Sequence, residues 1–267
     1  MYSFDYKSPS SLSEAAAMLQ SSDDGLLLAG GHTLLPTMKQ RLASASDLID
    51  LGGVSELRGI SVSGDTVTVG AMTTHAEVAA SSDVRGAISA LADLAGGIGD
   101  PQVRNAGTIG GSIANSDPSA DYPAALVGLC ATVNTNSRSI SADDFFTGMF
   151  ETALEENEII TSVSFQIPKC AAYCKFANPA SRYAIVGVMF ADCNHGMRVA
   201  VTGAGPSVFR VSEMESALAQ SCTASSIAGI SISADGLNSD IHASAEYRAH
   251  LVTVMAKRAV EKACASC

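Results

Sequence analysis

The stretch Gly107-Thr108-Ile109-Gly110-Gly111-Ser112-Ile113-Ala114-Asn115-Ser116-Asp117-Pro118 constrains this chain more than any other. Gly107, Gly110 and Gly111 fall close together and alternate with hydroxyls, so side chains leave room for a ligand. Far upstream, Leu26-Leu27-Leu28-Ala29-Gly30-Gly31-His32-Thr33-Leu34-Leu35-Pro36 has the same character. There a compact apolar run reads as a buried strand, Gly30-Gly31 breaks it, and Thr33 to Leu42 reads as a helix. A strand that ends in two glycines and enters a helix presents unpaired N–H groups at the positive helix end. Anions bind there without a basic side chain, and neither stretch contains a lysine. The two stretches are expected to form facing walls of one pocket for a diphosphate-bearing cofactor. Taken alone, Ala29-Gly30-Gly31-His32-Thr33 also matches an ordinary strand-to-helix turn.

Other phosphate-binding patterns fit poorly. The chain has no G-x-x-x-x-G-K-[ST] run and no strand–GxGxxG–helix unit. Gly203-Ala204-Gly205-Pro206 lacks the third glycine and carries a proline. With a net charge of −11, the chain repels phosphate backbones, which argues against nucleic-acid binding. Hydrophobic residues make up 47% and charged residues 16% of the 267, a globular balance. No apolar run approaches the roughly 18 residues of a membrane span. The first residues lack the layout of a secretory signal, so a cytoplasmic location is expected.

Cysteines stand at 130, 170, 174, 193, 222, 264 and 267, an odd and irregular set that reads as free thiols. Cys264-Ala265-Ser266-Cys267 is formally a C-x-x-C, but it ends the sequence and is expected to be an ordinary tail. The chain should hold no iron–sulfur cluster and no metal of its own. His32, His75, His195, His242 and His250 follow no ligand spacing, and His32 is expected to pack or to hydrogen-bond by its ring.

The expected class is α+β. Phe4 and Tyr6 suggest an edge strand, Ser11-Leu12-Ser13-Glu14 a capping box, and Asp47 to Leu51 another strand, together a small parallel β-α-β-α-β lobe. Ile60 to Ser63 and Val67 to Val69 flank a Gly64-Asp65 turn as a hairpin. Helices are expected at about 75–81 and 84–95, then extended backbone from Asp100-Pro101 into a long glycine loop. Ala124 to Val133 reads as buried, and Ile159 to Ile167 as a strand. A boundary is expected near 170, giving a two-lobed domain at 1–170 (lobes about 1–56 and 57–170) and a second domain at 171–267. The second should hold three antiparallel strands, then helices with faces at Val211, Met214, Leu218 and at Tyr247, Leu251, Val254, Met255. Asn115, Asp117 and Asp121 could bind ribose hydroxyls or the edge of a ring, and Asp117 could equally cap a helix.

The spacing of the two glycine stretches resembles the FAD-binding subunit of the molybdenum-containing hydroxylases. That family includes the medium chain of carbon monoxide dehydrogenase and the flavin domain of xanthine dehydrogenase. The similarity runs through Tyr2-Ser3-Phe4-Asp5-Tyr6, Asp47-Leu48-Ile49-Asp50-Leu51, Ile98-Gly99-Asp100-Pro101-Gln102-Val103-Arg104-Asn105 and Lys175-Phe176-Ala177-Asn178-Pro179-Ala180-Ser181-Arg182-Tyr183-Ala184. It implies FAD, held without a covalent bond. Ala29, Gly30, Gly31, His32 and Thr33 would form the first diphosphate loop, with Leu34 beside it. Thr108, Ile109, Gly110, Gly111 and Ser112 would form the second, and Asn115, Asp117 and Asp121 would contact FAD beyond it. Ile160 would line the adenine or ribose side, Lys175 would approach the flavin, and Tyr183 would lie against the isoalloxazine. Arg182 would be a surface or interface residue.

The resemblance further implies an oxidoreductase subunit without its own catalytic acid, base or nucleophile. A large partner would carry the molybdopterin cofactor, and a small partner two 2Fe–2S clusters, assembled as a dimer of heterotrimers. The alternative is a stand-alone flavin-dependent oxidase or reductase of the same fold.

Overall fold

In the computed structural model, residues 1–265 are described; Ser266 and Cys267, half of the formal C-x-x-C, lie outside them. The chain opens with β1 (Asp5–Lys7), α1 (Leu12–Gln20), β2 (Gly25–Leu28), α2 (Leu34–Lys39) and β3 (Asp47–Asp50). The strands pair in parallel in the order β1-β3-β2, as the alternation of elements requires. Ser11 caps α1 through the Glu14 N–H, but the Glu14 carboxylate reaches back to Ser10, one residue short of a full capping box. α2 is shorter than its apolar pattern. Leu42 turns out to solvent, and Arg41 stands at φ 60° beyond the helix end.

The second lobe begins with the hairpin β4 (Ile60–Ser63) and β5 (Thr66–Gly70), then α3 (His75–Ala80), α4 (Ser82–Ala87) and α5 (Ser89–Gly96). The single helix expected over 84–95 is broken at Ile88, whose non-helical φ −140°, ψ 76° joins two short helices. Asp100-Pro101 does not lead into a loop. Asp100 is extended, but its carboxylate accepts the Val103 N–H and Pro101 opens α6 (Pro101–Ala106). Most of the glycine stretch beyond is likewise helical, as α7 (Ile109–Asn115).

Buried α8 (Tyr122–Gly128), β6 (Thr132–Thr135), β7 (Ser139–Ser141), α9 (Ala142–Phe145), the small hairpin β8 (Phe146–Gly148) and β9 (Glu151–Thr152), and β10 (Ile160–Gln166) complete the lobe. Its sheet order is β4-β5-β10-β6-β7, antiparallel throughout. Phe165, Val163, Leu91, Leu126 and Phe145 fill the core beneath it.

The remaining chain forms β11 (Cys170–Ala177), β12 (Ala184–Cys193) and β13 (Gly196–Thr202), joined by a two-residue β14 (Phe209–Arg210) that the sequence pattern did not reveal. α10 (Ser212–Gln220) and the long α11 (Ala245–Cys264) cover one face of this sheet. Val211, Met214 and Leu218 are buried together. Tyr247 is not on the buried face of α11 with Leu251 and Met255; it is half exposed and meets the Phe176 ring edge-on. The class is α+β, with a parallel lobe, a larger antiparallel lobe and a C-terminal antiparallel sheet with helices. Among the described residues, no helix is long and apolar enough to cross a membrane.

Candidate functional site

The two glycine stretches touch. A Cβ on Gly30 would lie 2.2 Å from the Ala106 carbonyl oxygen and 2.7 Å from the Gly107 Cα. Gly111 in turn faces Ala29, whose Cβ would be 3.3 Å from an added one. Only glycine permits this approach of backbone to backbone. Beside the contact opens a cavity of about 570 Å³, within the usual range for small-molecule sites.

The first stretch forms the anion-binding wall by a simple device. β2 ends at Leu28, Gly31 turns the chain at φ 69°, and α2 begins at Leu34. Between them, the N–H groups of Gly30, Gly31, His32 and Thr33 donate to no acceptor among the described residues. The Thr33 hydroxyl makes no capping bond either. Successive open amides at a helix start form a concave nest for an anion.

The second stretch works differently from expectation. Ile109 N–H donates to Thr73 O at 3.1 Å, Gly110 N–H to Ala71 O at 2.8 Å, and Ser112 N–H to Thr108 O at 3.0 Å. The Gly111 N–H goes to the Thr108 hydroxyl, which is thereby occupied as the cap of α7. Two of its amides thus tie the start of α7 to the Ala71–Thr73 segment beyond β5, and two close its own first turn. A Cβ on Gly110 would collide with Ala71, so this glycine serves packing. α7 contributes Gly110, Gly111, Ser112, Ala114 and Asn115 to the cavity lining, of which Ser112 and Asn115 carry polar side chains.

Of the expected site residues, Ala29, Gly30, Gly31, His32, Thr33, Leu34, Thr108, Gly110, Gly111, Ser112, Asn115, Asp117, Asp121, Ile160 and Tyr183 all line the cavity. Ile109 and Lys175 do not. Ile109 is fully buried in the core below. Lys175 points its ammonium behind the wall, where Nζ holds Gly97 O at 2.9 Å, Arg182 O at 2.9 Å and Asp121 Oδ1 at 3.0 Å. Asp121 is itself 4% exposed and also accepts the Tyr173 hydroxyl at 2.5 Å. Burial pushes its carboxyl up, while Lys175 and Tyr173 pull it down. Asp117 caps no helix; its Oδ1 accepts the Ser119 N–H at 2.8 Å in a local turn. His32 is exposed and lines the cavity. Arg182 is exposed, as a surface residue would be, and also borders the cavity, at φ 63°. Tyr183 stands beside it, 49% exposed.

Sequence reasoning missed two wall residues of consequence. Glu158 lies in the far wall, gripped by Arg138, Thr135 and Ser137, and Arg138 holds its carboxyl down to about 2. His75 lies at the cavity floor, 4% exposed. Its burial depresses the imidazole to about 4, aided by His32 and Arg104 nearby. A signal for its placement was present: Thr74-His75-Ala76-Glu77 is a T-x-x-E run, and it forms the full capping box of α3.

The walls fit an extended nucleotide cofactor with a diphosphate: an amide nest at the contact, hydroxyls beside it, and apolar residues such as Leu26, Leu51, Met72 and Ile160 along the rest. Fold and cavity together define a two-part nucleotide-cofactor-binding protein. Residues 2–170 match the family model described as the FAD binding domain in molybdopterin dehydrogenase. Residues 171–263 match the CO dehydrogenase flavoprotein C-terminal domain. The chain is 36% identical to the carbon monoxide dehydrogenase medium chain of Hydrogenophaga pseudoflava, covering 99% of this chain and 98% of that one. It is 37% identical to the nicotine 6-hydroxylase medium subunit of Paenarthrobacter nicotinovorans, covering 97% and 96%. The solved structure of reconstituted CO dehydrogenase from Oligotropha carboxidovorans superposes with a TM-score of 0.92 at 31% identity, covering 100% of this chain and 99% of that one. This chain belongs to the family of FAD-binding flavoprotein subunits of the molybdopterin dehydrogenases. It is an oxidoreductase subunit whose cofactor is FAD.

Proposed function

We propose that this chain is the electron-transfer subunit of a cytoplasmic molybdenum hydroxylase or dehydrogenase. A large partner with the molybdopterin cofactor would oxidise the substrate, and a small partner with 2Fe–2S clusters would pass the electrons here. The final acceptor would collect them from this chain, within a dimer of heterotrimers. FAD supplies a carrier that takes electrons singly and gives them up singly or in pairs. The work of this chain's residues is to bind and orient it. Gly30 to Thr33 would hold the diphosphate by amide hydrogens, Ser112 and Asn115 would add side-chain donors, and Ile160 and Leu154 would cover the adenosine. Tyr183, half exposed at the rim, would control access of the acceptor. Lys175 acts at one remove, by fixing Asp121 and the Gly97 and Arg182 carbonyls.

The open amide nest facing the second glycine stretch carries this reading. The purified chain should be yellow, should release intact FAD on acid denaturation, and should turn over no substrate until the large and small subunits are added. Turnover by the chain alone would favour the stand-alone oxidase or reductase. Colourless protein that refuses added FAD would end both readings.

A further inference from the structure

His75 occupies the point where the two glycine stretches meet. Its backbone N–H donates to Gly107 O at 3.0 Å, and Thr74 bridges to Thr108, so the residue is fixed against the second stretch. A Cβ on Gly107 would lie 2.7 Å from the imidazole Nε2, so the ring fills the room that this glycine leaves. Gly30 packs against the same Gly107. The ring therefore adjoins the glycine contact, and it lines the cavity there.

The two ring nitrogens differ. Nδ1 is completely buried and finds no partner among the described residues, with the Tyr122 ring tilted beside it at 5.4 Å between centroids. Nε2 is not among these orphaned buried atoms, and the side chain lines the cavity. The nearby Arg104 donates through Nη1 to the Ile98 and Gly99 carbonyls. A neutral imidazole carries one N–H and one lone pair. An orphaned N–H in the interior is rarer than an orphaned acceptor, which puts the proton on Nε2. We infer that His75 is a neutral hydrogen-bond donor, through Nε2, to the diphosphate of the bound cofactor. This rests on the FAD reading above. It adds a side-chain donor beside the second stretch, whose own first-turn amides are already bonded within the protein.

The test uses the deflavinated chain titrated with FAD and with ADP, which carries the diphosphate without the flavin, together with phosphorus NMR of each complex. His75→Leu should weaken both ligands about tenfold or more, the worth of a hydrogen bond to a charged group, and should displace the phosphorus resonances. His75→Gln, whose amide nitrogen reaches the Nε2 position, should recover most of the affinity and the wild-type resonances. His75→Met replaces the leucine variant if the latter does not fold. Wild-type affinity and unchanged phosphorus shifts in the leucine or methionine variant would overturn the donor role and leave the FAD reading standing. Equal weakening by Gln and Leu would also overturn it, because shape rather than the N–H would then matter. Failure of the wild-type chain to bind FAD would instead strike the FAD reading itself.

Discussion

Gly30 stands so close to Ala106 that a single added carbon would lie 2.2 Å from the carbonyl oxygen. The obstacle is backbone, which cannot swing aside as a side-chain tip can. Gly30→Ala should therefore push the two stretches apart, at a cost of about 1–3 kcal/mol in stability. FAD affinity should fall as well, since the same shift widens the diphosphate site. Thermal melting with and without FAD measures both; an unchanged melting temperature in both states would refute the contact.

Lys175 and Asp121 form a buried ion pair that ties β11 to the cavity wall. Removing one partner strands the other charge in the interior. Lys175→Met should cost about 3–5 kcal/mol, and Asp121→Asn in the same chain should restore part of that. Denaturant unfolding of the two single variants and the double variant checks this. Additive losses would mean that the pair is not coupled.

Glu158 gives the protein a specific acid sensitivity. Its carboxyl is held down to about 2, chiefly by Arg138, below the ordinary value of 4.5. A depressed carboxyl adds stability that is complete above its unfolded value and is lost as pH falls through the folded one. The loss therefore falls between about pH 4.5 and 2. Arg138→Gln should lower neutral-pH stability by about 2 kcal/mol and flatten the pH dependence across that window. Unfolding curves at stepped pH for the variant and the parent decide it.

Tyr183 is half exposed, and burial of the remainder pushes its hydroxyl upward, so it is a neutral ring at physiological pH. Tyr183→Ala should leave folding within about 0.5 kcal/mol and change the rate of flavin reoxidation by acceptor. Stopped-flow absorbance reads that rate. Unchanged FAD affinity together with unchanged reoxidation would remove Tyr183 from the site.

The parallel lobe and the hairpin β4–β5 were legible because their apolar periods and glycine turns act locally. The facing of the two glycine stretches was legible in outline, from composition and spacing together with the family resemblance. How they divide the work was not. Whether a glycine serves a ligand or close packing depends on what lies opposite it, and for Gly110 that is Ala71, distant in sequence. That Ile109 and Lys175 do not line the cavity was not legible for the same reason, since their partners come from other elements. The capping-box run Thr74 to Glu77 marked where His75 starts a helix, but not that its ring would meet Gly107, distant in sequence. The break at Ile88 and the start of α6 at Pro101 were hidden because short helices leave too few residues for a period to show.

The central claim is that Gly30 to Thr33 hold the cofactor's diphosphate by open amides while the first-turn amides of α7 stay bonded to the protein. A crystal structure of the chain with FAD tests it most directly. The account predicts phosphate oxygens about 3 Å from the Gly30–Thr33 nitrogens, with Ile109 and Gly110 still donating to Thr73 and Ala71. A diphosphate seated on the α7 amides, or away from both stretches, would contradict it.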